Sequence, residues 1–384
     1  MAIPLIKNTF YNENQTRREL SQFIQSGAHL SMGEQCQKFE ETFAAKQGRK
    51  YAVLVNSGGS ANLALLQALI NLHWVHARNR CGVSALTWST NVMPVIQTGL
   101  VPIPVDVQPN TLNTTLSMMI QQVQPIEVMF ITNALGFCGN LEDISVWCRE
   151  NNVILLEDNC ESLGTETPYG KTGNFGLAST FSFYVAHHIS TIEGGMICTD
   201  DYELYNMLKI VRSNGWDRNL AAQEQEKVRA GIPAFQAKYT FYNLAYNFKP
   251  TEITGWLGNN QMMYYDEIMR KRENNYRLFS SAIKGNPDML PLADASYEKL
   301  PAFATPIICN SPESRATYLK RFKDAGIETR PVIAGDITQQ PFWKDRYASR
   351  KMIGVRYIHD CGFYCGNCPD YSEEEIETIV GCLE

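Results

Sequence analysis

Phe181-Ser182-Phe183-Tyr184-Val185-Ala186-His187-His188-Ile189-Ser190-Thr191-Ile192-Glu193-Gly194-Gly195 is the stretch whose reading decides the fold. Residues 179–185 are rich in β-branched and aromatic side chains and read as a strand. The Gly194-Gly195 pair turns the chain into a second apolar run, Met196-Ile197-Cys198, and a histidine pair lies between the two runs. Upstream, Asn152-Val153-Ile154-Leu155-Leu156-Glu157-Asp158-Asn159-Cys160-Glu161-Ser162 carries an apolar strand straight into an acid. A carboxylate at the C-terminal end of a buried strand points into the crevice where open α/β sheets bind ligands.

Strand and helix signals alternate around these two segments. Residues 51–55 read as a strand ending in Asn56-Ser57-Gly58-Gly59-Ser60, and an apolar-periodic helix runs from Ala61 to about His73. Residues 83–86, 101–107, 128–132 and 153–156 read as buried strands. This alternation predicts an α/β fold with a large, mostly parallel sheet covered by helices on both faces. Residues 10–48 read as helices with a turn at Ser31-Met32-Gly33, and 251–284 as one long helix with room for a kink. The expected organisation is a large domain over 1–250, a linking helix over 251–284 and a smaller C-terminal α/β domain over 285–384. Residues 223–237 read as a polar, mobile loop. The bulky segment His73-Trp74-Val75-His76 reads as a surface patch or subunit contact.

The 384 residues carry a net charge of −6 and no long basic run, which argues against nucleic acid as a partner. No stretch is apolar for the length a membrane helix needs, and the first residues lack the apolar core of a signal peptide. Eleven cysteines, an odd number, fit reduced thiols better than a disulfide framework. A cytoplasmic protein is expected.

Several residues carry candidate chemistry. Ser57-Gly58-Gly59-Ser60 before a helix suits an anion, because glycine lets the backbone approach and the helix start presents free N–H groups. Asp158 can hold a proton on a ring nitrogen, or cap a helix. An imidazole such as His187 moves protons near neutrality. His188 is the next residue, and in extended backbone it would face the other way, in a structural role. Arg212 and Arg218, around Asn214-Gly215-Trp216, are candidates for an anionic ligand, with surface salt bridging as the alternative.

Taken together, these motifs make the chain similar to the fold-type I, vitamin B6-dependent sugar aminotransferases and dehydratases, nearly end to end. The resemblance implies an aspartate-aminotransferase-like fold and a homodimer with shared active sites. It implies pyridoxal 5'-phosphate or pyridoxamine 5'-phosphate as cofactor, with Gly58, Gly59, Ser60 and Ser182 at its phosphate. Trp88 would stack on the ring, Asp158 would face the ring nitrogen, and Glu161 would help position the ring or the base. Asn247, in Tyr246-Asn247-Phe248, would reach the phosphate across the dimer interface, and Arg330 would meet a sugar nucleotide. The family's aminotransferases carry a cofactor-bonding lysine where His187 stands, and histidine there marks its 3-dehydratases.

The implied reaction removes the C3 hydroxyl from a nucleotide-linked 4-keto-6-deoxy sugar, releases ammonia and uses L-glutamate as amino donor. The resemblance favours GDP over CDP as the nucleotide. An aminotransferase on the same sugars, or a binding module without chemistry, are the alternatives. Cys361, Cys365 and Cys368 have the spacing of some iron–sulfur proteins. Asp217-Arg218-Asn219-Leu220, where a cluster-bearing relative has cysteine, has none. No metal is expected.

Overall fold

The computed structural model describes residues 2–27, 29–121, 124–348 and 350–384. Short apolar strands set its frame: β1 (Tyr51–Val55), β2 (Arg80–Ser84), β3 (Val101–Val105), β4 (Val128–Thr132), β5 (Ile154–Asp158), β6 (Ala178–Ser182) and β7 (Gly195–Thr199). Among the described residues these seven form one sheet in the order β1-β7-β6-β5-β4-β2-β3. The pairings are parallel except at β7, which runs antiparallel to both β6 and β1.

Side chains alternate across this sheet with the pleat. Val53, Phe130 and Ile197 enter one apolar core, whereas Leu54, Phe181 and Met196 enter another. The helices that cover the faces are α1 (Glu13–Gln25), α2 (Glu34–Gln47), α3 (Gly58–Asn71), α4 (Ser89–Gln97), α5 (Tyr202–Arg212), α6 (Glu252–Met262) and α7 (Tyr265–Gly285). Leu65 and Leu69 of α3, Val95 of α4 and Leu208 of α5 fill the first core. Phe39 and Phe43 of α2 fill the second, with ring centroids 5.0–5.2 Å from Phe181 and Phe183. Each such aromatic pair contributes ~0.5–1.5 kcal/mol beyond its burial, so the end of β6 is firmly seated before the histidine pair begins.

Four expectations shift in the structure. β6 stops at Ser182, three residues early, because its ladder with β7 ends at Gly195 and the chain turns. The His187 N–H then donates to the Tyr184 carbonyl at 2.8 Å. β2 ends at Ser84, since Leu86 has left the ladder to bridge Asp336. The helix expected over 251–284 is two helices, broken by turns at Met263 and Tyr264, whose N–H groups bond Asn260 and Gln261. The expected mobile loop over 223–237 contains a helix, Ala222–Arg229, and Arg229 ion-pairs with the buried Asp217 at 2.6 Å. In the bulky segment after α3, Val75 is buried and Trp74 packs on the first core, whereas His73 and His76 are exposed at the surface.

A smaller antiparallel sheet follows, from β8 (Ala304–Ile308), β9 (Thr329–Arg330) and β10 (Gly362–Gly366), with β10 in the middle. The N-terminal segment joins this part of the molecule through a bridge between Ile3 and Ile327. Among the described residues no helix is long and apolar enough to cross a membrane.

Candidate active site

Asp158 is the last residue of β5, paired with Thr132 and Thr180 on its two neighbours, and is 3 % exposed. Its Oδ2 accepts from Asn62 at 2.8 Å and Asn91 at 2.7 Å, and its Oδ1 from the Cys160 N–H at 2.9 Å. All three donors are neutral, and among the described residues no cation pairs with this carboxylate. Buried charges are ordinarily paired. The donor set therefore suits a cationic ring N–H, for which Oδ1 keeps a lone pair.

Asn62 lies one turn into α3, and its Oδ1 accepts from Thr180 of β6 at 2.6 Å. This fixes the start of α3 beside the end of β6. Ser57 caps the helix by accepting the Ser60 N–H at 3.1 Å. A Cβ at Gly58 would stand 2.7 Å from the Ser182 Cβ and 3.0 Å from the Cys160 Sγ. Gly58, Gly59, Ser60 and Ser182 thus come together around a helix N-terminus, an arrangement that suits an anion.

The residues after β6 are organised differently. His187 and His188 stand in a turn, so strand alternation does not set their directions. The His188 ring is buried, and its Nε2 lies 2.7 Å from the Pro301 carbonyl. A carbonyl can only accept, so Nε2 carries the proton. His187 is half-buried, with its ring edge-on to Phe303 at 5.2 Å between centroids. Its Nδ1 is shielded and without a hydrogen-bond partner, leaving Nε2 as the nitrogen open to the site. Burial, and then the nearby Arg272 guanidinium, lower the His187 pKa to about 4. The expected titration near neutrality is thus corrected: the free imidazole is neutral there and able to accept a proton.

Phe303 links this turn to the acids. Its N–H donates to the Leu135 carbonyl at 3.0 Å, and the Leu135 N–H donates to Glu161 at 2.8 Å. Leu135 adopts a left-handed φ of 56° to do so. Burial pushes the Glu161 carboxyl up to about 8, with Asp158 adding to the rise. Trp88 is the N-cap residue of α4 and 54 % exposed, three residues before Asn91. Its ring is therefore available at the edge of the Asp158 cluster.

The remaining candidates divide. Arg330 is exposed and paired with Glu328 at 2.6 Å, opposite Tyr364 in the small sheet. Burial, and then the nearby Glu161, hold the Tyr364 hydroxyl well above its ordinary range. Asn247 is exposed and bridges Ser213, while its neighbour Phe248 accepts the Asn56 N–H at 3.0 Å. Arg218 stacks on Trp216 at 3.6 Å on an exposed face. Arg212, expected as a substrate contact, is 3 % exposed, ion-pairs with Glu40 and donates to the Leu54 carbonyl at 2.8 Å. Glu40 also accepts the Leu54 N–H at 2.7 Å. This pair satisfies the outer edge of β1, so Arg212 serves the sheet rather than a substrate. The three late cysteines are buried, Cys365 and Cys368 in one apolar core. Among the described residues no group of three His, Cys, Asp or Glu is gathered to hold a metal.

Sequence reasoning missed Asn62, Asn91, Phe303 and Arg272. A polar residue inside the apolar run of α3 was the available signal for Asn62.

Residues 11–384 match the DegT/DnrJ/EryC1/StrS aminotransferase family. The chain is 30% identical over 361 residues to GDP-4-keto-6-deoxy-D-mannose 3-dehydratase of Yersinia pseudotuberculosis, covering 92% of each. Its structure is similar to that of the E. coli GDP-4-keto-6-deoxy-D-mannose-3-dehydratase with bound hydrated PLP, with a TM-score of 0.92, 29% identity and full coverage of both chains. Another structure of GDP-4-keto-6-deoxymannose-3-dehydratase, with a PLP–glutamate adduct, aligns with a TM-score of 0.91 at 29% identity and full coverage of both chains.

Proposed function

The chain belongs to the DegT/DnrJ/EryC1/StrS aminotransferase family, and from this premise we propose that it is a sugar-nucleotide 3-dehydratase. It removes the C3 hydroxyl of a nucleotide-linked 4-keto-6-deoxy sugar, giving a 3,6-dideoxy-4-keto sugar and ammonia. GDP is the favoured nucleotide, as in the dehydratases it resembles. The product class serves surface polysaccharide synthesis. The carrying observation is a half-buried histidine at position 187, where the family's aminotransferases have their lysine, in a site that keeps a buried carboxylate and a glycine cup.

Pyridoxamine phosphate, when bound, supplies an amine for the C4 ketone and a ring that draws electrons from the carbons beside it; L-glutamate is the donor that restores the amine. Gly58, Gly59, Ser60 and Ser182 would hold the phosphate, with the N-terminal dipole of α3 favouring its charge. Trp88 would cover one face of the ring. Asp158, oriented by Asn62 and Asn91, keeps the ring nitrogen protonated, because an adjacent carboxylate stabilises that cation. His187 takes a proton at Nε2 and returns it to the departing C3 hydroxyl. Its low proton affinity makes the charged imidazole a strong acid for that second role. Imidazole has no primary amine, so the cofactor is held without a bond to residue 187. Arg330 would meet the diphosphate at the mouth of the site.

The protein acts as a homodimer in this reading, with Asn247 completing the partner's phosphate cup. Two inactive variants, Asn247→Ala and Asp158→Asn, are expected to complement partly in mixed dimers. Demonstrated subunit exchange without recovered turnover would contradict the shared site. The reaction itself is tested with GDP-, CDP- and dTDP-linked 4-keto-6-deoxy sugars, scored for ammonia and product. One ammonia per sugar consumed is expected. An amino sugar formed without ammonia would make the chain a transaminase.

A further inference from the structure

We propose that Arg272 is a positioning residue that fixes the imidazole of His187 and ties it to the small sheet. The inference rests on the reading of His187 as the proton carrier.

Arg272 lies on α7 and is 6 % exposed. Its Nη1 donates to the Phe303 and Asn367 carbonyls, both at 2.9 Å, and its Nη2 to the His187 carbonyl at 3.4 Å. Phe303 directly precedes β8 and Asn367 directly follows β10, two strands paired at Ala304 and Gly366. One planar fork therefore joins the long helix, the end of the small sheet and the histidine turn. Asn367 reinforces it by donating to the Arg272 carbonyl at 3.0 Å and the Ala302 carbonyl at 2.7 Å. His188 adds a parallel tie through Pro301, and the Phe303 ring lies 5.2 Å from His187 and 6.0 Å from His188. Strand geometry ends at Ser182, so these distant groups define where the imidazole stands.

The charge of this fork has a consequence as well. Its acceptors are neutral carbonyls, and among the described residues no carboxylate forms an ion pair with Arg272. A buried guanidinium without a counterion acts on nearby groups with little compensation. The groups near His187 are Arg272 from α7, and His188 and the Tyr184 carbonyl from its own turn; Asp370, Cys368 and Tyr371 lie near Arg272, and Cys368 and Asp370 line one cavity with it and His187. The cation opposes protonation of the imidazole. Lysine would keep the charge but could not span three carbonyls.

The test is a titration of ¹⁵N-histidine-labelled, cofactor-free protein by NMR, with His187→Asn to assign the ring, alongside pH profiles of turnover. In wild type His187 should remain neutral at about pH 5.5. Arg272→Gln should raise its pKa by about one unit and move the acid limb of kcat upward by the same amount. Arg272→Lys should leave the limb in place, yet lower kcat about tenfold with little change in KM, because a misplaced proton carrier is a slow one. An Arg272→Gln variant whose His187 titration and acid limb stay within about 0.3 units of wild type overturns the proposal. If Arg272→Gln does not fold, wild-type kcat in Arg272→Lys overturns it alone. Failure of the functional reading looks different: His187→Asn would keep turnover while the NMR shift still followed Arg272.

Discussion

The site has two halves built in different ways. One half, Asp158, Ser182 and the Ser57–Ser60 turn, stands at the ends of adjacent strands and the start of one helix. Ladders and a cap hold it, and every support lies on an element with strong local pattern. The other half, the turn carrying His187, has no ladder. It is held by Arg272, Pro301 and Phe303, 85 to 116 residues away in sequence. The contrast teaches that the residues proposed to hold the cofactor inherit their rigidity from the sheet, whereas the proposed proton carrier draws its position from tertiary bonds.

The largest expected effect separates the halves. His187→Asn should cut dehydration by ~10²–10⁴, the usual worth of a positioned acid–base group. It should leave cofactor retention near wild type, because the strand-end half is untouched. Equilibrium dialysis with pyridoxamine phosphate and an ammonia assay read both, and loss of cofactor together with turnover would break the division.

Asp158→Asn attacks the other half. Turnover should fall ~10²–10³, the scale seen when one preorganised electrostatic group is removed. Turnover within a few-fold of wild type in folded protein would remove Asp158 from its role.

Asn91→Ala should cost less. It takes one of two amide donors from Oδ2 and leaves the carboxylate in place, a loss of ~1–3 kcal/mol in stability because the group stays buried. Urea unfolding measures this, and a stability change below about 0.3 kcal/mol would show that Asn62 and the Cys160 N–H hold the acid without it.

A smaller, signed effect concerns Glu161 and the histidines in cofactor-free protein. Glu161 has a folded pKa raised from 4.5 to about 8, so its contribution to stability is full below 4.5 and lost progressively as pH rises to about 8. Burial depresses His187 to about 4 and His188 well below its ordinary value, so their contribution is present above about 6.5 and lost as pH falls, for His187 through about 4. Melting temperature should therefore fall on both sides of a mildly acidic range. Glu161→Gln should flatten the alkaline side and leave the acid side as it was. An unchanged alkaline slope would mean that Glu161 is already ionised in the fold.

The same division explains what could be read from the chain. The strands 128–132 and 51–55 stand where their apolar runs put them, and Asp158 and the glycine cup follow from motifs at strand ends. The strand reading of 179–185 runs three residues past Ser182, because Phe183, Tyr184 and Val185 carry strand propensity. Nothing local announces that Ile192 takes a left-handed φ of 70°. Arg272 sits in Arg270-Lys271-Arg272, which reads as a solvated charge run. Its helical phase was the usable signal, since Ile268, Met269, Arg272, Asn275 and Tyr276 share the buried face of α7. Arg212 misled in the reverse way: its use, closing the edge of β1 with Glu40, depends on a residue 172 positions away.

In the proposed reaction this site works without a lysine bonded to its cofactor. Protein loaded with pyridoxal phosphate is reduced with borohydride, digested and mapped by mass spectrometry, with the cofactor-to-protein ratio fixed near one. The account predicts that no lysine carries the cofactor stoichiometrically and that dialysis before reduction removes it. A single lysine peptide bearing one cofactor per chain would contradict the account and make the protein an aminotransferase with its lysine in a new place.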